Sequence, residues 1–329
     1  MQEQSGTSHG AAEPYWLAVD IGATKLAVRG ERGTRCFVAR QPWSGSDLQQ
    51  LTRTLREARQ QLGGQVGRVG VACAATLDAD GRVVTWPSRP SWTGQPVRDV
   101  IADAAGAQTI IGDDGGLAAL AEADAAACAD LAYVGIGTGV GGGLVSGGRL
   151  ITGAFGTAGE IGHLPIDRVG PTCRCGRTGC LQASTSGAAL AARATRLRRR
   201  PTTEADLVTG TREGRRWAVR VCDEAASALA QAIIAVSELV QSARVHLGGG
   251  LGHALDDLPQ RVTAALESRW RPGRPLPVIA RAWFGADASL AGAMLVARRG
   301  RVELAAHPQR DPGPAVAYTR RVDLCEQAS

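Results

Sequence analysis

Twice along this chain a buried strand runs into a glycine turn and comes out as a second strand. Residues 16–21 read as the first such strand and 25–29 as its return, with Gly22 between them. The pattern starts again at 131–136, where the turn from Gly135 to Gly143 leads into further strand at 143–145 and 150–152. Each opening is followed by alternating strand-like and helix-like stretches, which implies an α/β architecture. In the first cycle these are a strand at 36–40, a helix at 47–62, strands at 68–73 and 109–111, and an Ala-rich helix at 115–127. The helix at 47–62 rests on Leu48, Leu51, Leu55, Ala58 and Leu62, a helical spacing closed by Gly63 and Gly64. In the second cycle they are helices at 185–198 and 217–240, a strand at 245–247, a helix at 258–270, a strand at 278–282 and a last helix. The echo predicts two similar lobes with a cleft between them. The expected division is a small lobe over 15–114, completed by the closing helix at 288–299, and a large lobe over 115–287. A loose leader at 1–14 and a tail at 300–329 flank them.

At 329 residues and 44% hydrophobic, the chain has material for one large domain or two lobes. The formal net charge of +6 is not concentrated. The densest run, Arg196, Arg198, Arg199 and Arg200 beside Pro201, reads as a solvated helix end, so no nucleic-acid partner is expected. The N-terminus lacks an apolar signal core, and the best apolar window, 228–240, is broken by Gln231, Ser237 and Glu238. The expectation is a soluble cytoplasmic protein with no membrane partner, in which clustered cysteines suggest metal before disulfides.

Of the 37 lysine and arginine residues, only Lys25 is a lysine. A bias toward arginine does not explain the exception, so Lys25 is a candidate for a role that a compact ammonium fills and a planar guanidinium does not. It closes the turn Asp20-Ile-Gly-Ala-Thr-Lys25. Gly22 clears space for backbone to approach a phosphate, the Thr24 hydroxyl and backbone N–H groups are donors, and Asp20 suits Mg²⁺, usually through water. An ordinary hairpin turn is the competing reading. The second turn contains a formal G-x-G-x-x-G at Gly137, Gly139 and Gly142, but a hairpin rather than a helix follows it, so the dinucleotide reading fails its own context test. With no G-x-x-x-x-G-K-[ST] anywhere, a P-loop is also excluded. A glycine turn carrying Thr138 remains a good phosphate cradle. Gly248, Gly249 and Gly250 leave a strand in a third glycine turn, which makes room for a flat adenine or is simply a loop.

Asp113 and Asp114 fall between a strand and a helix, where an aspartate either caps the helix or serves as a base facing the cleft. The spacing leaves both readings open. His163 with Cys173, Cys175 and Cys180 offers one imidazole and three thiolates. That is a sufficient tetrahedral set, favoured over free or redox-active thiols, and four protein ligands make the zinc structural.

With these motifs in this order the sequence resembles the ROK family of repressors, open reading frames and sugar kinases, within the actin-like ATPase superfamily. The likeness runs from about Trp16 to Arg299. It rests on Asp20–Lys25, Gly135–Gly143 with the following Gly153–Gly159, and Glu160-Ile-Gly-His163 with Cys173-x-Cys175-Gly-x-x-Gly-Cys180-Leu. Leu247–Gly250 and Gly285–Ala293 complete it. The resemblance implies a two-lobed, ribonuclease H-like α/β fold with an interlobe cleft and a zinc loop at 163–180. It implies ATP and Mg²⁺ as cofactors and a homodimer. It assigns Asp114 as catalytic base, Glu160 to sugar hydroxyls, and His163 to both zinc and sugar.

This chain departs from the family pattern on the acceptor side. The usual Asn-Asp-Ala-Asn reads Asp113-Asp114-Gly115-Gly116, the usual Glu after Cys-Leu is Gln182, the usual Pro-Gly-Pro is Ala74-Ala75-Thr76, and the usual Asn-Leu-Pro is Ser88-Arg89-Pro90. Asp113 and Gln182 are therefore expected at a substrate site retuned away from plain glucose. The expected activity is ATP-dependent phosphorylation of a small polyol, a C7-cyclitol or modified sugar before glucose or N-acetylmannosamine. A repressor of the family type needs an added DNA-binding module, for which the residues ahead of the first strand are too few. A sugar sensor with dead chemistry fits poorly with the retention of Asp20, Lys25 and Asp114.

Overall fold

Two five-stranded sheets carry the molecule, and both are wound in the same order. The computed structural model describes residues 13–22, 24–43, 48–86 and 89–302. The expected leader and tail lie outside the described residues, apart from Glu13, Pro14 and residues 300–302.

The first sheet opens with β1 (Tyr15–Ile21), β2 (Lys25–Arg32) and β3 (Arg35–Pro42). After α1 (Leu48–Leu62) come β4 (Val66–Cys73), a small ribbon of β5 (Thr76–Leu77) and β6 (Val83–Thr85), α2 (Val97–Ala105) and β7 (Gln108–Gly112). The order is β3-β2-β1-β4-β7, antiparallel through the opening hairpins and parallel from β1 to β4 to β7. Helix α3 (Asp114–Ala125) leads to the second sheet, which opens with β8 (Leu131–Ile136), β9 (Val140–Ser146) and β10 (Arg149–Leu150). There follow α4 (Leu181–Thr185), α5 (Gly187–Arg198), α6 (Glu204–Arg212), α7 (Arg216–Val240), β11 (Arg244–Gly248), α8 (Gly249–Ala254), α9 (Leu258–Glu267), β12 (Val278–Arg281) and α10 (Ala288–Arg299). The order β10-β9-β8-β11-β12 repeats the first sheet strand for strand. The echo in the sequence is thus a repeat of topology.

Period-two alternation in β1 decides what faces what. Leu17, Val19 and Ile21 pack outward, with Leu51, Leu55, Ala58 and Leu62 of α1 and Val97 and Ile101 of α2. Ala18 points the other way, into a middle layer where α3 and α10 lie between the sheets. Leu117 and Leu120 of α3, Leu290 and Val296 of α10, and Tyr133 and Val145 of the second sheet fill that layer. Asp20 shares the face of Ala18, so a carboxylate stands where the two halves meet. A third cluster, built on α7 and the outer face of the second sheet, fills the far side.

Several elements differ from the sequence expectation. The helix expected at 185–198 is α5, which starts at Gly187 because Ser186 turns extended and caps it, its Oγ accepting from Ala189 N at 3.3 Å; the short α4 ahead of it was not expected. Helix α2 and helix α6 were not expected. The second of these opens on a capping box of Thr203 and Asp206, a signal present in the sequence. The third glycine stretch is not a free loop: Gly249 and Gly250 are the first residues of α8.

Candidate active site

At the N-terminus of α3 the two aspartates make different hydrogen bonds. Asp113 is the cap, its Oδ2 accepting from Gly116 N at 2.8 Å. Asp114 is the first helical residue, its Oδ1 accepting from Gly115 N at 2.7 Å. The capping reading thus holds for Asp113. The helix gets this close to the second sheet because both partners lack side chains. A Cβ on Gly115 would lie 2.3 Å from the Gly142 carbonyl oxygen, and one on Gly143 would lie 2.5 Å from that of Gly115.

Carboxylates gather at this junction. Asp20 is 5% exposed, and its pKa is pushed up to about 7 by burial first and by the charge of Asp114 next, with Lys25 opposing. Asp287, at the entry to α10, adds to the rise. Burial raises Asp114 as well. Asp113 is raised by burial, then by Asp114, with Glu160 contributing. Glu160 is itself raised by partial desolvation, which His163 offsets. Asp20, Asp113, Asp114 and Glu160 thus form one electrostatic unit drawn from β1, α3 and the turn after Gly159.

The first turn is tied internally by Gly22 N donating to Lys25 O at 3.0 Å, while Trp43 N donates to Thr24 O at 2.9 Å. Thr24 and Lys25 are exposed. The second turn is closed by Gly137 N donating to Gly139 O at 2.9 Å, and Thr138 and Gly139 are exposed. A Cβ on Gly137 would meet nothing within 4 Å, so this glycine faces open space rather than packed protein. The third stretch lies beside the second, since Gly248 is the register partner of Gly135. Gly249 takes φ +76°, and a Cβ there would lie 2.5 Å from Ile136 backbone atoms, which requires glycine. Each of the first two turns joins the first two strands of its sheet, so they occupy equivalent places in the repeat.

The predicted metal ligands converge. Nδ1 of His163 is 3.8 Å from the Cys173 sulfur, the Cys175 and Cys180 sulfurs are 3.7 Å apart, and one ligand atom from each of the four lies within 4.8 Å of the others. Four ligands about 2.3 Å from a tetrahedral centre stand about 3.8 Å apart, so the spacing fits zinc. This loop docks on β9: a Cβ on Gly162 would lie 1.8 Å from the Val140 carbonyl oxygen. Gln182 joins the loop to the second turn. Its Nε2 donates to the Cys173 sulfur at 3.1 Å, and a Cβ on Gly139 would sit 3.3 Å from its Oε1.

The sequence reading missed three features. Arg89 donates through Nη2 to Gly22 O at 2.6 Å, which only the crowding of Trp86 and Trp92 around it hinted at. Asp287 pairs with Arg40 at 2.7 Å beside the Asp20 cluster. Glu122 of α3, fully buried, accepts from Trp283 N at 2.9 Å and Phe284 N at 3.0 Å and lies 2.8 Å from Nδ1 of His246. That network pins α3 to β11 and to the connection before α10, and no motif announces it.

The model of the ROK family matches residues 16–300, and the chain belongs to the ROK family. It is 40% identical over 292 residues to the kanosamine kinase of Amycolatopsis mediterranei, covering 86% of this chain and 96% of that one. Among solved structures it resembles the ROK hexokinase of Thermus thermophilus, with a TM-score of 0.75 and 30% identity over 87% of this chain and 98% of the other. A ROK glucokinase of Streptomyces griseus, solved with glucose and AMPPNP, shares the fold with a TM-score of 0.75 at 24% identity, over 87% of this chain and 100% of the other. The fold is the two-lobed α/β kinase fold. Among the described residues, no helix is long and apolar enough to cross a membrane.

Proposed function

We infer that the protein is an ATP-dependent sugar kinase whose acceptor is an amino-substituted hexose of the kanosamine kind. The observation that carries the reading is the place of Asp114. It begins α3 next to the capping Asp113, accepts from Gly115 N, and is drawn into one electrostatic unit with Asp20 and Glu160.

In this reading Asp114 accepts the proton of the attacking hydroxyl as its oxygen bonds to the γ-phosphorus and the bond to ADP breaks. Burial raises its pKa, which makes the carboxylate a better proton acceptor than an exposed aspartate. The turns at Gly22, Thr24 and Lys25 and at Gly137, Thr138 and Gly139 hold the polyphosphate, and Gly248, Gly249 and Gly250 receive the adenosine end. Asp20 would hold Mg²⁺, which would neutralise phosphate charge. Glu160 and His163 meet acceptor hydroxyls, with Gln182 setting the distance between the metal loop and the second turn. Cys173, Cys175, Cys180 and His163 bind a structural zinc. The small lobe is 15–114 with the closing helix 288–299, the large lobe is 115–287, and the working form is a cytoplasmic homodimer.

The acidic surroundings of Asp113 support an acceptor carrying positive charge. An ammonium group beside Asp113, where the family pattern has a neutral Asn, relieves the repulsion among Asp113, Asp114 and Glu160. The test is a coupled ATPase assay over kanosamine, glucose, N-acetylmannosamine and a C7-cyclitol. The reading expects the highest kcat/KM with kanosamine, and a preference over glucose that shrinks in Asp113→Asn. Preference for glucose, or a preference untouched by Asp113→Asn, would overturn the assignment of the acceptor.

A further inference from the structure

The first turn is braced by a structure that neither the family pattern nor the reaction accounts for. Arg89 is only 3% exposed, and its guanidinium carbon lies 5.0, 5.2 and 5.8 Å from the ring centres of Trp43, Trp86 and Trp92. All three indoles are buried, and they hold one another edge to face: Trp43 and Trp92 at 6.0 Å and 83°, Trp86 and Trp92 at 5.3 Å and 86°. A cation over aromatic faces is attracted to each, more strongly where water is excluded. The backbone closes the box, with Arg89 N donating to Trp86 O at 2.8 Å and Trp92 N to Arg89 O at 3.0 Å.

Two arms reach from this box to one turn. The Arg89 guanidinium takes the Gly22 carbonyl at 2.6 Å, and the Trp43 backbone takes the Thr24 carbonyl at 2.9 Å. A peptide unit is planar, so a hydrogen bond that fixes its carbonyl also fixes the plane of the unit. The box therefore sets the orientation of the peptide units that carry the Gly22 and Thr24 carbonyls. It does so with a charge-assisted bond, the stronger kind. Arg89 stands where the resembling family has Leu, inside a segment that departs from the pattern on the acceptor side.

We propose that Arg89 is a positioning residue for phosphoryl transfer, holding the Gly22–Lys25 turn in the shape that receives the polyphosphate and coupling that shape to the tryptophan box. This rests on the reading of that turn as a phosphate site. Its bond goes to the Gly22 carbonyl, so it acts through the turn. A lysine there keeps the charge but loses the planar stacking and the geometry of the fork.

The test uses the full chain with Arg89→Lys and Arg89→Met. AMPPNP with Mg²⁺ is titrated by tryptophan fluorescence, which the box places next to the turn, and kcat and both KM values are measured with the best acceptor of the panel. Arg89→Met is expected to weaken AMPPNP binding about tenfold or more, the effect of losing a hydrogen bond to a charged group. It should also reduce the fluorescence change and leave the acceptor KM within a few-fold. Arg89→Lys is expected to restore part of the nucleotide affinity. If Arg89→Met does not fold, Arg89→Lys and Trp92→Phe, which loosens the box and keeps the charge, should show the same split in weaker form. Folded variants with wild-type AMPPNP affinity would overturn the proposal, as would equal losses for nucleotide and acceptor, while wild-type turnover stands. Absence of ATP turnover or AMPPNP binding in the wild type would instead remove the kinase reading beneath it.

Discussion

Replacing Gly292 with alanine adds one methyl group where α10 crosses α3. The new Cβ would stand 2.0 Å from the Leu117 carbonyl oxygen and 2.4 Å from its carbon, both main-chain atoms of α3. Ordinary contact needs about 3.4 Å, so the helices must part by roughly 1 Å or more, and no side chain can rotate away to prevent it. Alanine gains about 1 kcal/mol over glycine in a helix interior. Overpacking against main chain costs about 3 kcal/mol, the upper part of its usual range. The net is a loss of about 2 kcal/mol, a fall in Tm of a few degrees for a chain of this size. The larger consequence is catalytic. Leu117 lies one helical turn from Asp114, so moving this part of α3 shifts the carboxylate, and a misplacement of about 1 Å can cost about a hundredfold in rate. Calorimetry and a coupled kinase assay measure the two effects on the same preparation. A Gly292→Ala protein with unchanged Tm and kcat would refute the claim that the close crossing of α3 and α10 places Asp114.

Asp114→Asn should lower kcat by about 10²- to 10⁴-fold, the usual worth of a positioned general base, and leave AMPPNP affinity within a few-fold by calorimetric titration. An aspartate whose pKa rises on folding, as Asp20 does from 3.8 to about 7, binds more protons folded than unfolded. Its contribution to stability is full below pH 3.8 and is lost as pH rises through about 7, so without metal or nucleotide the wild-type Tm should fall relative to Asp20→Asn across that window. Parallel Tm curves would refute it. Removing zinc with a chelator, or Cys173→Ser, should lower the metal content from one per chain, lower Tm and raise the acceptor KM more than the ATP KM, because the loop carries His163 and borders Gln182. Elemental analysis with steady-state kinetics checks this.

Local signals in the sequence were enough for the repeat of strand, turn and strand, for α1 and for the Cys₃His set. Leu51, Leu55, Ala58 and Leu62 follow the helical period and are buried, and the four metal ligands sit close along the chain. Glycine was harder to read. Gly115, Gly142 and Gly143 are glycine because α3 lies against β9, a contact between segments distant in sequence, and Gly249 opens a helix where loop flexibility seemed as good an explanation. That Asp113 rather than Asp114 caps α3 needed the exact start of the helix, which spacing locates only to within a residue or two. Arg89 and Glu122 were invisible for another reason. Their partners, Gly22 in one case and His246, Trp283 and Phe284 in the other, are brought to them only by the fold.

A crystal structure with AMPPNP, Mg²⁺ and the acceptor bears most directly on the account. Phosphates lying between the Gly22–Lys25 turn and the Gly137–Gly139 turn, with an acceptor hydroxyl within hydrogen-bond reach of Asp114, are what it predicts. Nucleotide bound away from either turn, or an acceptor out of reach of Asp114, would contradict it.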